Sequence, residues 1–118
     1  MPAKLSTQVI DLAHGCPAIG MKIELWAIEL DDRRLVISAR TNADGRTETP
    51  LLTRDEMEPG VYEIIFHVGE YFTARGTVLP KIRFLDLVPV RLGIADAGAS
   101  YHVPLFCSPW SYSVSRGA

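Results

Sequence analysis

The sequence has no run of apolar residues that approaches the roughly 20 needed for a membrane-spanning helix, and it has no excess of basic residues. Its 12 lysines and arginines are outnumbered by 14 aspartates and glutamates, so the formal net charge is −2. A chain without a basic stripe lacks the electrostatic footprint of a nucleic-acid-binding protein. We therefore expect neither a membrane-spanning segment nor a nucleic-acid partner.

Cysteine is also scarce. Cys16 and Cys107 are the only two, they lie far apart, and they form no CxxC pair. Such residues are more often reduced structural thiols than a disulfide or a metal site. No two of the three histidines have the spacing of zinc ligands, so no metal is expected. The first residues, MPAKLSTQ, lack the basic and then apolar pattern of a secretory signal, which predicts a cytoplasmic protein.

Apolar and polar residues alternate with a period of two through most of the chain. The alternation is clearest in residues 22–27, 62–68 and 88–94, and it is typical of strands with one face on a core. Pro89 removes a hydrogen bond from the ladder, so we expect its strand at a sheet edge or at a bulge. Alternation lapses at residues 69–75, where we expect the one short helix.

Turn sequences rich in glycine, proline and aspartate divide the chain at residues 14–20, 42–46, 58–60, 79–81 and 96–100. This spacing leaves room for about seven or eight strands, which is typical of a two-sheet β-sandwich. No internal repeat, low-complexity segment or linker is present. The sequence therefore predicts an all-β protein with a single domain spanning residues 1–118.

Of the three histidines, His102 is placed most suggestively. It lies in the apolar strand-like run YHVPL, on the face opposite Tyr101 and Val103. A lone strand histidine is more often structural than catalytic, and the sequence leaves both interpretations open. His14 lies in a Gly/Pro turn and is expected to be solvated, without a role. His67 ends a strand and is expected to be structural.

The arginine of the tight turn Asp44-Gly45-Arg46 is the second candidate. It is either a solvated turn residue or a planar donor fork directed at a carbonyl-rich or anionic ligand, a task for which guanidinium is better suited than ammonium. The serines have no GxSxG elbow, and the chain contains neither a phosphate loop nor a dinucleotide fingerprint. The residues by themselves thus indicate a small β-sandwich with a candidate His/Arg site.

Five segments together resemble the 5-hydroxyisourate hydrolase family, also called transthyretin-related proteins. They are STQVIDLAHGCPAIGMKIELW (6–26), TNADGR (41–46), GEYF (69–72), FLDLVPVRLGIAD (84–96) and YHVPLFCSPWSYS (101–113). The resemblance covers nearly the whole chain. It implies a transthyretin-like sandwich of two four-stranded sheets and one short helix.

The resemblance also implies an activity, an assembly and a set of site residues. The activity is the hydrolytic opening of the six-membered ring of 5-hydroxyisourate, without cofactor or metal. The assembly is a homotetramer, a dimer of dimers whose sites lie where the dimers face each other. The residues that match the family's catalytic set are Arg46, His102, Arg116 and Gly117. The chain departs from that set at three positions: Gln8 replaces a histidine, Ser115 replaces a tyrosine and Ala118 replaces a serine.

These departures matter because glutamine, unlike imidazole, cannot accept a proton from water. Three explanations are open. The first is a hydrolase in which His102 alone is the base, Arg46 binds the substrate carbonyls and Gln8 orients substrate or water. The second is the same chemistry on an N-methylated hydroxyisourate, and the third is a transthyretin-type ligand-binding protein without catalysis. We favour hydrolysis because the Asp-Gly-Arg arginine and the Tyr-His-Val-Pro histidine are both retained. Ser115, Arg116, Gly117 and Ala118 would shape the substrate pocket.

Overall fold

A computed structural model describes residues 2–117 and contains two sheets and one short α-helix. The elements follow one another along the chain as β1 (Leu5–Asp11), β2 (Cys16–Pro17), β3 (Lys22–Ile28), β4 (Arg33–Arg40), a 3-10 turn (Arg54–Glu56), β5 (Gly60–His67), α1 (Val68–Ala74), β6 (Leu87–Ile94), β7 (Tyr101–Cys107) and β8 (Tyr112–Val114). The predicted all-β sandwich of about eight strands with one helix is confirmed. The helix begins one residue earlier than expected and ends one residue earlier.

The strands form two four-stranded sheets with the orders β2-β1-β7-β8 and β4-β3-β5-β6. The first strand pairs in parallel with β7, almost at the other end of the chain, and Ser6 lies opposite His102 in this register. The remaining pairings are antiparallel. We refer below to β2-β1-β7-β8 as the first sheet and to the other as the second sheet.

Alternation in the sequence fixes which side chains enter the core between the sheets. Burial alternates strictly along β1 and β3, and the inward residues of both strands are almost fully buried. Pro89 lies on β6, at the edge of the second sheet, as its missing N–H predicts. Within residues 2–117, no helix has both the length and the apolarity that a membrane span requires.

A buried carboxylate joins β1, the following turn and the helix. Asp11 is fully buried, and its Oδ2 accepts a hydrogen bond from the Tyr71 hydroxyl at 2.8 Å and lies 2.7 Å from Nδ1 of His14. The backbone N–H of His14 donates to Oδ1 of the same carboxylate. Burial raises the pKa of Asp11, but these hydrogen bonds outweigh it and leave the pKa below its usual range. His14 is exposed as expected, yet it has a structural partner that the turn sequence did not reveal.

This cluster gives a stability prediction. Replacing Tyr71 with phenylalanine removes one hydrogen bond from a buried carboxylate, and we expect the free energy of unfolding to fall by about 1–3 kcal/mol. Urea denaturation followed by fluorescence measures the change. Tyr112→Phe, at a tyrosine with 43% exposure, is the matched control and should leave stability nearly unchanged. Equal effects of the two substitutions would show that the Asp11 bond contributes nothing.

Candidate active site

The outward face of the first sheet presents His102. Its neighbours Tyr101 and Val103 are buried in the core, so the alternation of β7 turns the imidazole away from the core, where it remains partly exposed. Because β1 runs parallel to β7 at this point, Ser6 lies beside it. The Ser6 Oγ is 2.9 Å from Nδ1 of His102. Nδ1 of the imidazole is therefore hydrogen-bonded to a side chain of the neighbouring strand.

The loop of residues 42–46 brings Arg46 to the same face. The Asn42 side chain accepts hydrogen bonds from the backbone N–H groups of Asp44 and Arg46, which tightens the turn. Gly45 has a φ of 76°, and a Cβ at this position would collide with the carbonyl oxygen of Val9 on β1. Only glycine allows such a close approach. The N–H of Val9 then donates to the Gly45 carbonyl at 2.8 Å, which anchors the loop on β1.

Gln8 ties the loop to the strand. Its Nε2 donates to the backbone carbonyl of Asp44 at 2.9 Å, and its Oε1 accepts a longer bond, 3.4 Å, from Nη2 of Arg46. Both ends of the amide are thus engaged by the Asp-Gly-Arg turn. Gln8 contributes to the site by holding Arg46, in addition to any bond it makes to a bound molecule.

His102 and Arg46 converge on one open cavity of about 450 Å³. A cavity of this size accommodates a small heterocycle. Within the part of the chain that the structure describes, the lining residues include no carboxylate and carry two permanent positive charges. These lining residues are Pro2, Lys4, Ser6, Arg46, Ser100, Tyr101 and His102.

Burial of the imidazole lowers the pKa of His102, and the positive charges of Arg46 and Lys4 lower it further. The neutral form is the one that accepts a proton, so this environment keeps the histidine ready to act as a base at neutral pH and somewhat below it. Among residues 2–117, no protein group hydrogen-bonds Nε2. His102 is therefore suited to act as a general base. The guanidinium of Arg46 beside it is suited to donate hydrogen bonds to an oxygen atom on which negative charge develops.

Lys4 provides a test of this electrostatic environment. In the variant Lys4→Met we expect the pKa of His102 to rise, because a nearby positive charge no longer opposes protonation. An NMR titration of the His102 ring proton measures the pKa directly. Lys81→Met, at an exposed lysine outside the cavity, is the control. An unchanged or lower pKa in Lys4→Met would contradict the assignment.

The carboxyl-terminal tail reaches the site at one residue. The Gly117 N–H donates to the His102 carbonyl, and a Cβ on Gly117 would lie 3.2 Å from Cδ2 of the imidazole. Ser115 and Arg116 instead line a second cavity of about 330 Å³ at the β6/β8 edge, and the Arg116 guanidinium lies 4.2 Å from the centre of the Tyr101 ring. Ala118 lies outside the described residues.

The other titratable groups have structural partners. His67 contacts Glu24 at 3.0 Å, as expected for a structural histidine at a strand end. Burial raises the pKa of the Cys107 thiol to about 12, so this group is an inert core residue. No cluster of histidine, cysteine or carboxylate side chains in residues 2–117 is arranged to hold a metal ion.

Sequence reasoning missed Ser6 and Lys4. Ser6 lies on β1 with Gln8 and shares its outward face, and Lys4 is the residue immediately before that strand. The alternation along β1 predicts which side chains share the outward face, but it does not predict that Ser6 contacts His102. Only the parallel register with β7 brings these two residues together. Tyr101, which lines both cavities, was expected only as an inward strand residue.

Comparisons with known proteins give consistent results along the chain. The sequence model of the HIUase/Transthyretin family matches residues 5–117. The chain is 49% identical over 115 residues to the 5-hydroxyisourate hydrolase of Pseudomonas aeruginosa, with 98% of this chain and 91% of that protein covered. It is 35% identical over 116 residues to the 5-hydroxyisourate hydrolase of Mus musculus, with 97% and 94% covered.

Two solved structures are similar to the fold. A crystal structure of (S)-allantoin synthase superposes with a TM-score of 0.91 at 42% identity and covers 98% of this chain, which spans 44% of the length of that one. Sea bream transthyretin in complex with thyroxine superposes with a TM-score of 0.86 at 22% identity, covering 100% of this chain and 96% of that one. At that identity the second likeness concerns the fold alone.

Proposed function

The chain belongs to the HIUase/Transthyretin family, and from this premise we propose that it opens the ring of 5-hydroxyisourate by hydrolysis at the cavity lined by His102 and Arg46. The activity is that of a hydrolase in purine catabolism. One observation supports the choice of cavity most directly. The imidazole of His102 and the guanidinium of Arg46, 56 positions apart in the sequence, line the same cavity.

The chemistry follows from the roles of the two groups. Nε2 of His102 removes a proton from water while the water oxygen bonds to the ring carbonyl carbon. Arg46 donates hydrogen bonds to the carbonyl oxygen as negative charge develops there. The imidazolium then returns its proton to the ring nitrogen as the carbon–nitrogen bond breaks, leaving an N–H group and a carboxylic acid, and the acid releases its proton to solvent as a carboxylate. Water supplies every added atom, so no redox partner is needed.

The remaining residues have supporting roles. Gln8 holds Arg46 and the preceding turn through its amide, and it orients substrate or water with the hydrogen-bonding capacity left to it. Gly117 closes one side of the imidazole, where a side chain would crowd the ring. Ser115 and Arg116 line the second cavity in the single chain, and we propose that they and Ala118 border the substrate pocket only in the assembled protein.

We further propose that the working form is a homotetramer. Four exposed apolar side chains on β7, β8 and the segment between them support a subunit interface there: Phe106, Trp110, Tyr112 and Val114. The second cavity opens between the sheets at the edge formed by β6 and β8, which a second copy would cover. Two free cysteines agree with a reducing, cytoplasmic location.

An N-methylated hydroxyisourate is the finer substrate proposal. A methylated nitrogen donates no hydrogen bond and needs more space. Serine in place of tyrosine at position 115 adds space, and alanine in place of serine at position 118 removes a hydroxyl that would be left without a partner. The substitutions at positions 115 and 118 would then match a substrate that has fewer N–H donors.

The activity test uses freshly generated 5-hydroxyisourate and its trimethylated analogue, each made with the corresponding oxidase. We expect the protein to accelerate the absorbance decay of at least one compound above the spontaneous rate. Faster turnover of the methylated compound supports the finer proposal, and faster turnover of the plain compound rejects it. No acceleration of either compound would reject hydrolysis and favour a ligand-binding protein.

Gln8→His adds a second, independent readout on the same two substrates. Histidine restores a proton acceptor at this position, and a gain of about 10²-fold on plain hydroxyisourate is expected if the native site is a specialised form. The same substitution removes the bonds that Gln8 makes to Asp44 and Arg46. Gln8→Ala is therefore the matched control, because it removes those bonds without adding a base. Equal rates for the two variants would contradict the expected gain.

A further inference from the structure

The described residues hold their three histidines in two different ways. His14 and His67 each lie at a carboxylate, with Nδ1 of His14 at 2.7 Å from Asp11 and Nε2 of His67 at 3.0 Å from Glu24. Each carboxylate holds its imidazole in one orientation. Neither of these two histidines lines the cavity that contains His102 and Arg46.

His102 has a neutral partner instead. Its Nδ1 lies 2.9 Å from the Ser6 hydroxyl. The two charges that act on the ring are both positive: they belong to Arg46, in the 42–46 loop, and to Lys4, which immediately precedes β1. A hydroxyl orients an imidazole without adding charge. The contact therefore supplies geometry while leaving the ring in its neutral form.

We propose that Ser6 is the positioning residue of the catalytic base: it accepts a hydrogen bond from Nδ1–H of His102 and thereby directs the Nε2 lone pair at water in the cavity. The inference rests on the proposed function and adds a residue to it. The imidazolium formed during the reaction donates the same Nδ1–H bond, so the contact persists through proton transfer. The ring then does not reorient between its two protonation states.

The position of Ser6 is set by the fold rather than by a local turn. Parallel pairing places Ser6 opposite His102 across 96 residues, and both strands are anchored by buried neighbours on their inner faces, among them Leu5 and Val103. On the other side, Gly117 lies against Cδ2 of the ring. The imidazole is thus bracketed at two edges while Nε2 is left without a partner among residues 2–117.

Three variants at this position separate orientation from charge. Ser6→Ala removes the hydroxyl, and we expect kcat to fall about tenfold with little change in KM. Ser6→Thr keeps the hydroxyl on a residue that suits a strand, and should restore kcat to near the native value. Ser6→Asp orients the ring but adds a carboxylate, so the acid limb of the kcat/KM profile should move to higher pH. Ser38→Ala, at an exposed serine of the second sheet, is the control and should leave the kinetics unchanged.

The tautomer of His102 is measured independently of any substrate. In ¹⁵N NMR spectra of the native protein we expect the Nδ1–H form, with a mixture of both tautomers in Ser6→Ala. An Nε2–H form in the native protein would overturn the proposal, as would native kcat in a folded Ser6→Ala variant. If the native protein does not act on either hydroxyisourate, the proposed function fails while the tautomer result still tells whether Ser6 orients the ring.

Discussion

Replacing His102 with glutamine is expected to slow the enzymatic ring opening by about 10²–10⁴-fold. Glutamine is similar in length, and its amide can still bond the Ser6 hydroxyl, but it has no nitrogen that accepts a proton at neutral pH. The variant therefore separates the loss of a base from the loss of a contact. The loss should appear in kcat, because proton removal from water occurs after the substrate is bound.

The matched control for this variant is His67→Gln. His67 is also a strand histidine with one hydrogen-bond partner, Glu24, but it lies on the second sheet, away from the cavity. We expect its activity to equal that of the native protein. Absorbance decay of freshly made substrate, corrected for the spontaneous rate, compares the two variants. A folded His102→Gln variant that retains native kcat would eliminate His102 as the base.

Replacing Arg46 with methionine is expected to lower kcat by about 10²–10³-fold, because the donors that stabilise charge on the carbonyl oxygen are lost. Arg46→Lys keeps the positive charge but lacks the planar fork, so only part of the rate should return. The substitution also removes one of the charges that lower the pKa of His102. Rates are therefore compared at a pH of about 8, where the imidazole is neutral in both proteins.

The Arg46 series requires its own control. Arg34→Met, at an exposed arginine of β4 on the second sheet, removes a positive charge without touching the cavity. Its activity should match that of the native protein. Equal rates for Arg46→Lys and the native protein would mean that charge alone is sufficient, and equal rates for Arg46→Met would remove Arg46 from the mechanism.

Gln8 departs from the family's catalytic set, and its side chain supports Arg46, which matches that set. The resemblance to the family implies a histidine where this chain has Gln8, and both ends of the Gln8 amide are engaged by the turn that presents Arg46. A glutamine amide does not take up a proton at neutral pH, so Gln8 adds no ionisation to the site. We therefore expect the acid limb of the pH–rate profile to follow the titration of a single group, His102. Two separate ionisations on that limb would contradict this expectation.

Much of the fold was readable from local pattern. Period-two alternation identified β3, β5 and β6, because it depends only on neighbouring residues. The missing N–H of Pro89 predicted a sheet edge or a bulge, and the structure has its strand at an edge. The helix was located to within one residue at each end. The bond between His14 and the buried Asp11 was not predicted, because it depends on how the turn packs against Tyr71 of the helix.

The sequence by itself determined the strand pattern, the all-β class and the two side chains, His102 and Arg46, on which the proposed chemistry depends. Only the tertiary structure decided which groups surround them. The parallel register of β1 and β7 places Ser6 at the imidazole, and the close approach of Gly45 to Val9 brings Arg46 to the same cavity. Such pairings depend on the packing of strands distant along the chain, and no local periodicity encodes them.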